Sequence, residues 1–316
     1  MKRKNLSRVI AGAIPISLVL AGGGTARANI LAYEGFEDAV NNQVLATGYQ
    51  TTTPGGSQGL SGSWTVVNGG NASQLKSRTS STGWTGAQAN LGSIGSSYSV
   101  QNGNGNYNFL ETGENWNLDV ATVSLANPIN MTQNGTWFMS FVSSSGNFDY
   151  AAQMGLSNGN NELMWGNGYA GGAQGVTAYY GAMSSYNSGG AVKGTSGISP
   201  TMGSAYDVML YVAELDQVVG SGLTLTMYAY DLNTIASLPT SVPTGTALYS
   251  TTLTGVNDTF NSLELKLSGA DTYPSIGQLA VGTTWQDATT VPEPGSLALT
   301  GCGILTAWFA SRRRAA

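Results

Sequence analysis

Leu223-Thr-Leu-Thr-Met-Tyr-Ala-Tyr230 alternates apolar and polar side chains with a period of two. Only an extended strand sends successive side chains to opposite faces, so Leu223, Leu225, Met227 and Ala229 share one face and Thr224, Thr226, Tyr228 and Tyr230 the other. Leu263-Glu-Leu-Lys-Leu267 repeats the pattern, with Glu264 and Lys266 expected to point outward. Trp137–Ser143, Tyr206–Leu215 and Ile276–Val281 read as further strands, and Gly220-Ser221-Gly222 as the hairpin connection between two of them. No segment between residues 29 and 290 carries a capped 3.6-residue period. The Gly/Ser/Asn-rich stretches 51–63, 92–106 and 184–200 read as loops, and no fixed repeat marks a solenoid or propeller. Many short strands separated by turn signals predict an all-β antiparallel sandwich or barrel.

Both termini read as addresses. Lys2, Arg3, Lys4 and Arg8 precede an apolar run from Val9 to Leu20, and Ala26-Arg27-Ala28 offers a small-residue cleavage site. Basic head, short apolar run and A-x-A exit describe a secretory signal peptide over 1–28, with cleavage before Asn29 by signal peptidase. At the other end, Pro292 and Pro294 disfavour helix in the residues before them. Residues 295–310 then carry no charge, and Arg312, Arg313 and Arg314 follow. Sixteen residues is short for a membrane span, which needs about 17–25. Trp308 and Phe309 suit the interface, and the arginines would hold the tail on the cytoplasmic side.

Val291-Pro292-Glu293-Pro294, the apolar run and the terminal arginines together resemble the PEP-CTERM sorting signal of exopolysaccharide-producing Gram-negative-type bacteria. The resemblance covers residues 291–316. It implies a transient inner-membrane anchor that an exosortase, a membrane-embedded cysteine protease, cuts near the Pro-Glu-Pro motif. The expected destination is the cell surface or extracellular matrix.

The region 29–290 holds four basic residues, Lys76, Arg78, Lys193 and Lys266, against sixteen acidic ones, a net charge of −12. Nucleic acid and anionic lipid surfaces are bound through Lys and Arg, so neither is an expected partner. Charged residues make up 9% of the chain, against about 25% in ordinary soluble proteins. The single cysteine, Cys302, lies in the tail, so an exported body must be stabilised without disulfides, by core size alone. The chain contains no His. That removes Ser-His-Asp and Cys-His catalysis and the usual zinc and copper ligands. Calcium on oxygen ligands is the one metal chemistry left open, with Glu37-Asp38 a weak candidate; no cofactor is expected.

Leu31-Ala-Tyr-Glu-Gly-Phe-Glu37, Met154-Gly-Leu-Ser with Glu162-Leu-Met-Trp-Gly166, and Ile276-Gly-Gln-Leu-Ala-Val-Gly-Thr-Thr-Trp-Gln-Asp-Ala288 resemble concanavalin-A-like (laminin-G-like) jelly-roll domains. The implied fold is two antiparallel sheets packed face to face. In that family the last strand ends in a G-T-x-W-x-D phrase, matched here by Gly282–Asp287; the usual Asp-Glu pair before it is replaced by Ile276-Gly277-Gln278.

Glu214-Leu-Asp216 places two carboxylates on one strand face. Jelly-roll glucanases use E-x-D-x-E there, but the third position in this chain is Val218, so the acid/base partner is missing. Trp165, Asn167, Tyr169, Tyr179 and Tyr180 are candidate glycan contacts, aromatic faces among Gly and Asn; burial of Trp165 in a core is the competing reading. The expectation is a non-catalytic exported protein that binds extracellular polysaccharide, with a jelly-roll glycoside hydrolase or lyase as the alternative.

Overall fold

The computed structural model describes residues 30–36, 43–44, 57–68, 76–80, 107–111, 115–144, 150–170, 173–182, 195–196, 208–232, 235, 237–245, 247–269 and 275–289. The strands are β1 (Ile30–Glu34), β2 (Gln43–Val44), β3 (Ser57–Gln58), β4 (Leu60–Asn68), β5 (Lys76–Ser80), β6 (Tyr107–Glu111), β7 (Asn115–Asn130), β8 (Gly135–Ser144) and β9 (Tyr150–Ser157). They continue with β10 (Asn161–Ala170), β11 (Ala173–Ala182), β12 (Thr195–Ser196), β13 (Val208–Val218), β14 (Gly222–Asp231), β15 (Tyr249–Leu253), β16 (Thr259–Gly269) and β17 (Ser275–Gly282). One short helix, α1 (Trp285–Thr289), closes the described chain.

These strands form two antiparallel sheets. The larger runs β15-β14-β13-β8-β17-β6-β5-β2, with β1 paired to β17 and β3 to β1. The smaller runs β12-β11-β10-β9-β16-β7-β4. A single apolar core lies between them, contributed by Met139, Phe141, Tyr211 and Leu215 of the larger sheet and Met154, Leu163, Trp165 and Leu265 of the smaller. The fold is therefore an all-β sandwich, as the alternating runs predict.

The alternation in β14 is observed: Leu223, Leu225 and Met227 are buried, and Thr224 and Thr226 are half-buried. It fails at Tyr228, buried at 4% exposure on the opposite face. There a second, smaller core forms on the outside of the larger sheet from Phe138, Val142, Leu210, Val212, Tyr228, Leu232, Trp285 and Ala288. The β13–β14 connection is a tight hairpin, Val218 pairing with Gly222 and Ser221 N donating to Val218 O at 2.9 Å.

Two stretches expected as loops contain strand. Residues 57–63 enter β3 and β4, and Thr195–Ser196 pairs with β11. Gly59, at φ +67°, turns the chain between β3 and β4, where a Cβ would lie 1.8 Å from Leu31 O. Strand β4 pairs with β7 and sends Trp64 into the core, with Leu60 and Val66 packed against it. The stretch 92–106 lies outside the described residues.

The Gly282–Asp287 phrase, expected to finish a strand, instead turns the chain into α1. Asp287 Oδ2 accepts from Thr283 N at 2.9 Å and Thr284 N at 2.8 Å, and Thr284 Oγ1 accepts from Asp287 N at 3.2 Å. This reciprocal arrangement is a capping box. A Cβ on Gly282 would fall 2.0 Å from Asp287 Cβ, so the carboxylate occupies space that only glycine leaves. Trp285 then packs edge-on against Tyr228, Phe138 and Tyr230, and its Nε1 donates to Pro239 O at 2.9 Å. The Ile276-Gly277-Gln278 segment carries a bulge: β17 changes register against β8 between Gly277 and Ala280, and Gln278 sits at φ +51°. Tyr33 OH donates to Gln278 Oε1 at 2.6 Å, fixing that kink from β1.

Candidate functional site

Register places each candidate residue on a face. Trp165 lies on β10 opposite Met154 of β9 and Ala178 of β11, in the inter-sheet core. It is fully buried, with its ring 5.1 Å from that of Phe141. Trp165 is thus core and presents no face to a sugar; the large apolar ring is worth more buried between the sheets. Asn167 shares that inward face, opposite Ala152 and Val176, and is 8% exposed. Tyr179 and Tyr180 are successive residues of β11 and point to opposite faces, so they do not form one surface. Tyr180 packs edge-on to Phe260 and its hydroxyl donates to Asp258 Oδ2 at 2.5 Å. Burial, then Asp258, pushes its phenol up to about 12. The side chain of Tyr169 lies outside the described residues.

The outward face of the smaller sheet is where the chemistry gathers. Sequence alternation sends Glu264 and Lys266 away from the core, but not into solvent: their side chains are 0% and 3% exposed. Lys266 Nζ donates to Glu162 Oε2 at 2.6 Å and to Tyr179 OH at 2.8 Å, and lies 3.5 Å from Glu264 Oε1. Tyr179 OH donates to Glu162 Oε1 at 2.9 Å. One row along, Gln153 Nε2 donates to Thr177 Oγ1 at 2.6 Å. Strand order explains the gathering. Tyr179, Met164, Gly155 and Glu264 are cross-strand neighbours on β11, β10, β9 and β16, and Gly155 leaves room for Met164.

The electrostatics follow from burial. Tyr179 is driven well above the usual tyrosine range, first by burial and then by Glu162. It is held neutral, which makes it a poor proton-abstracting base. Glu264 is pushed up to about 7, chiefly by burial; Lys266 opposes the shift and Glu162 adds to it. Alternation along β16 directs Glu264 and Lys266 outward, but nothing along that strand marks the face as buried or brings in Glu162 from β10.

Glu214 and Asp216 share the outer face of β13, opposite Thr226 and Thr224 of β14, as the spacing predicts. Asp216 is exposed and accepts from Thr136 Oγ1 at 3.0 Å. Glu214 is raised, by burial and then by Asp216. Val218, next on that face, is 43% exposed and brings no third acid. Among the described residues, no three His, Cys, Asp or Glu side chains are grouped to hold a metal ion. Ala26, Ala28, Asn29, Glu37-Asp38, Val291, Pro292, Glu293, Pro294, Arg312, Arg313 and Arg314 all lie outside the described residues.

Compared by sequence, the chain matches no protein-family profile and no curated protein. Among solved structures it is similar to the globular domain of T. cruzi calreticulin, at 11% identity and a TM-score of 0.39, over 72% of this chain and 86% of that one. The Emp47p carbohydrate recognition domain aligns at 10% identity and a TM-score of 0.30, over 56% and 84% of the two chains. An endo-β-1,4-glucuronan lyase from Trichoderma reesei aligns at 13% identity and a TM-score of 0.31, over 57% and 83%. Likenesses this distant carry no argument about this chain; its fold rests on its own strand pairing.

Proposed function

We propose that this chain is a non-catalytic exported protein, a concanavalin-A-like jelly roll that is anchored briefly by its tail and then released to the cell surface or extracellular matrix. The observation that carries the reading is the pairing of the first described strand with the last. Strand β1 begins at Ile30, one residue after the expected signal-peptide cut, and Ile30 pairs with Gly282 of the last strand. Helix α1 ends at Thr289, buried at 4% exposure, and the Val291-Pro292-Glu293-Pro294 motif starts two residues later. Removal of both addresses would therefore leave every described element of the sandwich whole.

Export machinery, signal peptidase and an exosortase are the partners this reading requires, with extracellular polysaccharide as the ligand class. The non-catalytic part is supported by two arrangements. Among the described residues the Glu214–Asp216 pair has no acid/base partner on its face, and Glu162, Lys266 and Tyr179 hydrogen-bond one another in a buried cluster. Replacing Pro292-Glu293-Pro294 with three alanines tests the sorting step. Export should continue while a membrane-bound form, heavier by the mass of the tail, accumulates; release at normal size would refute it. Incubation with a panel of glucans, galactans and uronans should release no reducing ends and no unsaturated product.

A further inference from the structure

Among the described residues, the outward face of the smaller sheet carries two carboxyl groups and one ammonium, all within 3% of complete side-chain burial. Facing Glu264 are Glu162 and Met164 of β10, Ser157 of β9, Tyr179 of β11, Thr122 of β7 and, on its own strand, Lys266. Among the described residues the titratable members are Glu162, Tyr179 and Lys266. Tyr179 stays neutral, so the cluster offers one positive charge to two acids. Lys266 sits against Glu162 at 2.6 Å and stands off from Glu264 at 3.5 Å. A second carboxylate in such a place would be a buried charge without full compensation, which proteins avoid by retaining a proton.

We propose that Glu162, Glu264 and Lys266 form a proton-operated clasp, which closes β16, β9, β10 and β11 with one proton held on the carboxyl pair and loosens when that proton leaves. The four strands concerned are consecutive in the smaller sheet, so the clasp ties four of its seven strands together. Protonation gives Glu264 a hydroxyl that can donate to Glu162, so both acids share one ammonium without mutual repulsion. In the unfolded chain Glu264 has its ordinary pKa of 4.5, against about 7 when folded. A carboxyl raised on folding stabilises most below its unfolded value and loses that contribution as pH climbs through the folded one. The clasp's contribution is therefore largest in acidic surroundings and has fallen away by neutral pH. This goes beyond the sorting and binding reading and does not depend on it.

The test is urea unfolding of the purified protein across about pH 4.5 to 8.5, beside Glu264→Gln, with infrared detection of protonated carboxyl. Glu214 is also raised, so the native-to-variant ratio is read rather than the native slope. That ratio of folding constants should fall about tenfold or more between pH 5 and 7.5, since one proton changes the constant by at most tenfold per pH unit. The native protein should show a protonated-carboxyl band near pH 6 that fades by about pH 8.5 and loses its Glu264 component in the variant. Glu162→Gln should also remove that component, because Lys266 then faces a single acid. If Glu264→Gln does not fold, the band in the native protein and its loss in Glu162→Gln decide. A ratio constant with pH, or no such band in the native protein near pH 6, would overturn the proposal.

Discussion

Ile30 lies directly opposite Gly282, so the first strand and the last are partners. Strand β17 is flanked by β8 and β6 as well as β1, which puts the last strand inside the larger sheet. A chain ending before Ser275 should lose cooperative folding, because β8 and β1 lose their shared partner. One ending at Thr290 should melt like the full-length protein. Circular dichroism melts of the two truncations distinguish these outcomes.

Trp285 joins α1 to three aromatic rings and to Pro239. Trp285→Ala should cost about 3–5 kcal/mol, the range for deleting a large buried aromatic. The loss should be accompanied by proteolytic clipping between Gly282 and Thr290, measured by limited digestion and mass spectrometry. Clipping unchanged from the native pattern would show that α1 is held by something else.

Gly155 and Gly159 separate close packing from backbone strain. A Cβ on Gly155 would lie 2.1 Å from Leu163 O and 2.3 Å from Met164 Sδ, whereas at Gly159 it meets nothing within 4 Å. Gly159→Ala should cost about 1–2 kcal/mol through its φ of +85° alone. Gly155→Ala must push apart β9 and β10 and should cost clearly more. Chemical denaturation of both variants gives the comparison, and equal costs would contradict the register.

Tyr179→Phe removes an acceptor from Lys266 and a donor from Glu162. A loss of about 1–3 kcal/mol is expected, the range for leaving buried polar groups unsatisfied. Any glycan retention on an affinity column should persist in this variant, since the hydroxyl is committed within the protein.

The sandwich was legible because β14 and β16 alternate apolar side chains at the strand period, and the inter-sheet core uses those residues. Faces were less legible. Alternation places Glu264 and Lys266 away from the core but says nothing about what lies over the sheet, and burial of that face turned expected surface charges into a cluster. The cluster also spans β10, β11 and β16, so its members are separated by up to 104 residues in sequence, as in the Lys266–Glu162 bond. Glu214 and Asp216, by contrast, share one strand, so period-two spacing alone pairs them. Trp165 illustrates the converse: a Gly/Asn-rich neighbourhood suggested a surface, while pairing with Met154 and Ala178 fixed the ring in the core. Strand β3 and the first residues of β4 are hard to read from sequence because Ser, Gly and Gln carry little strand signal without a partner to pair with.

Export with removal of both ends is the central claim, and the intact mass of the protein released by its native host tests it most directly. The native host should release one species starting at Asn29 and ending between Thr290 and Pro294, with α1 complete. A released species that retains residues 295–316, or one cut inside the sandwich, would contradict it.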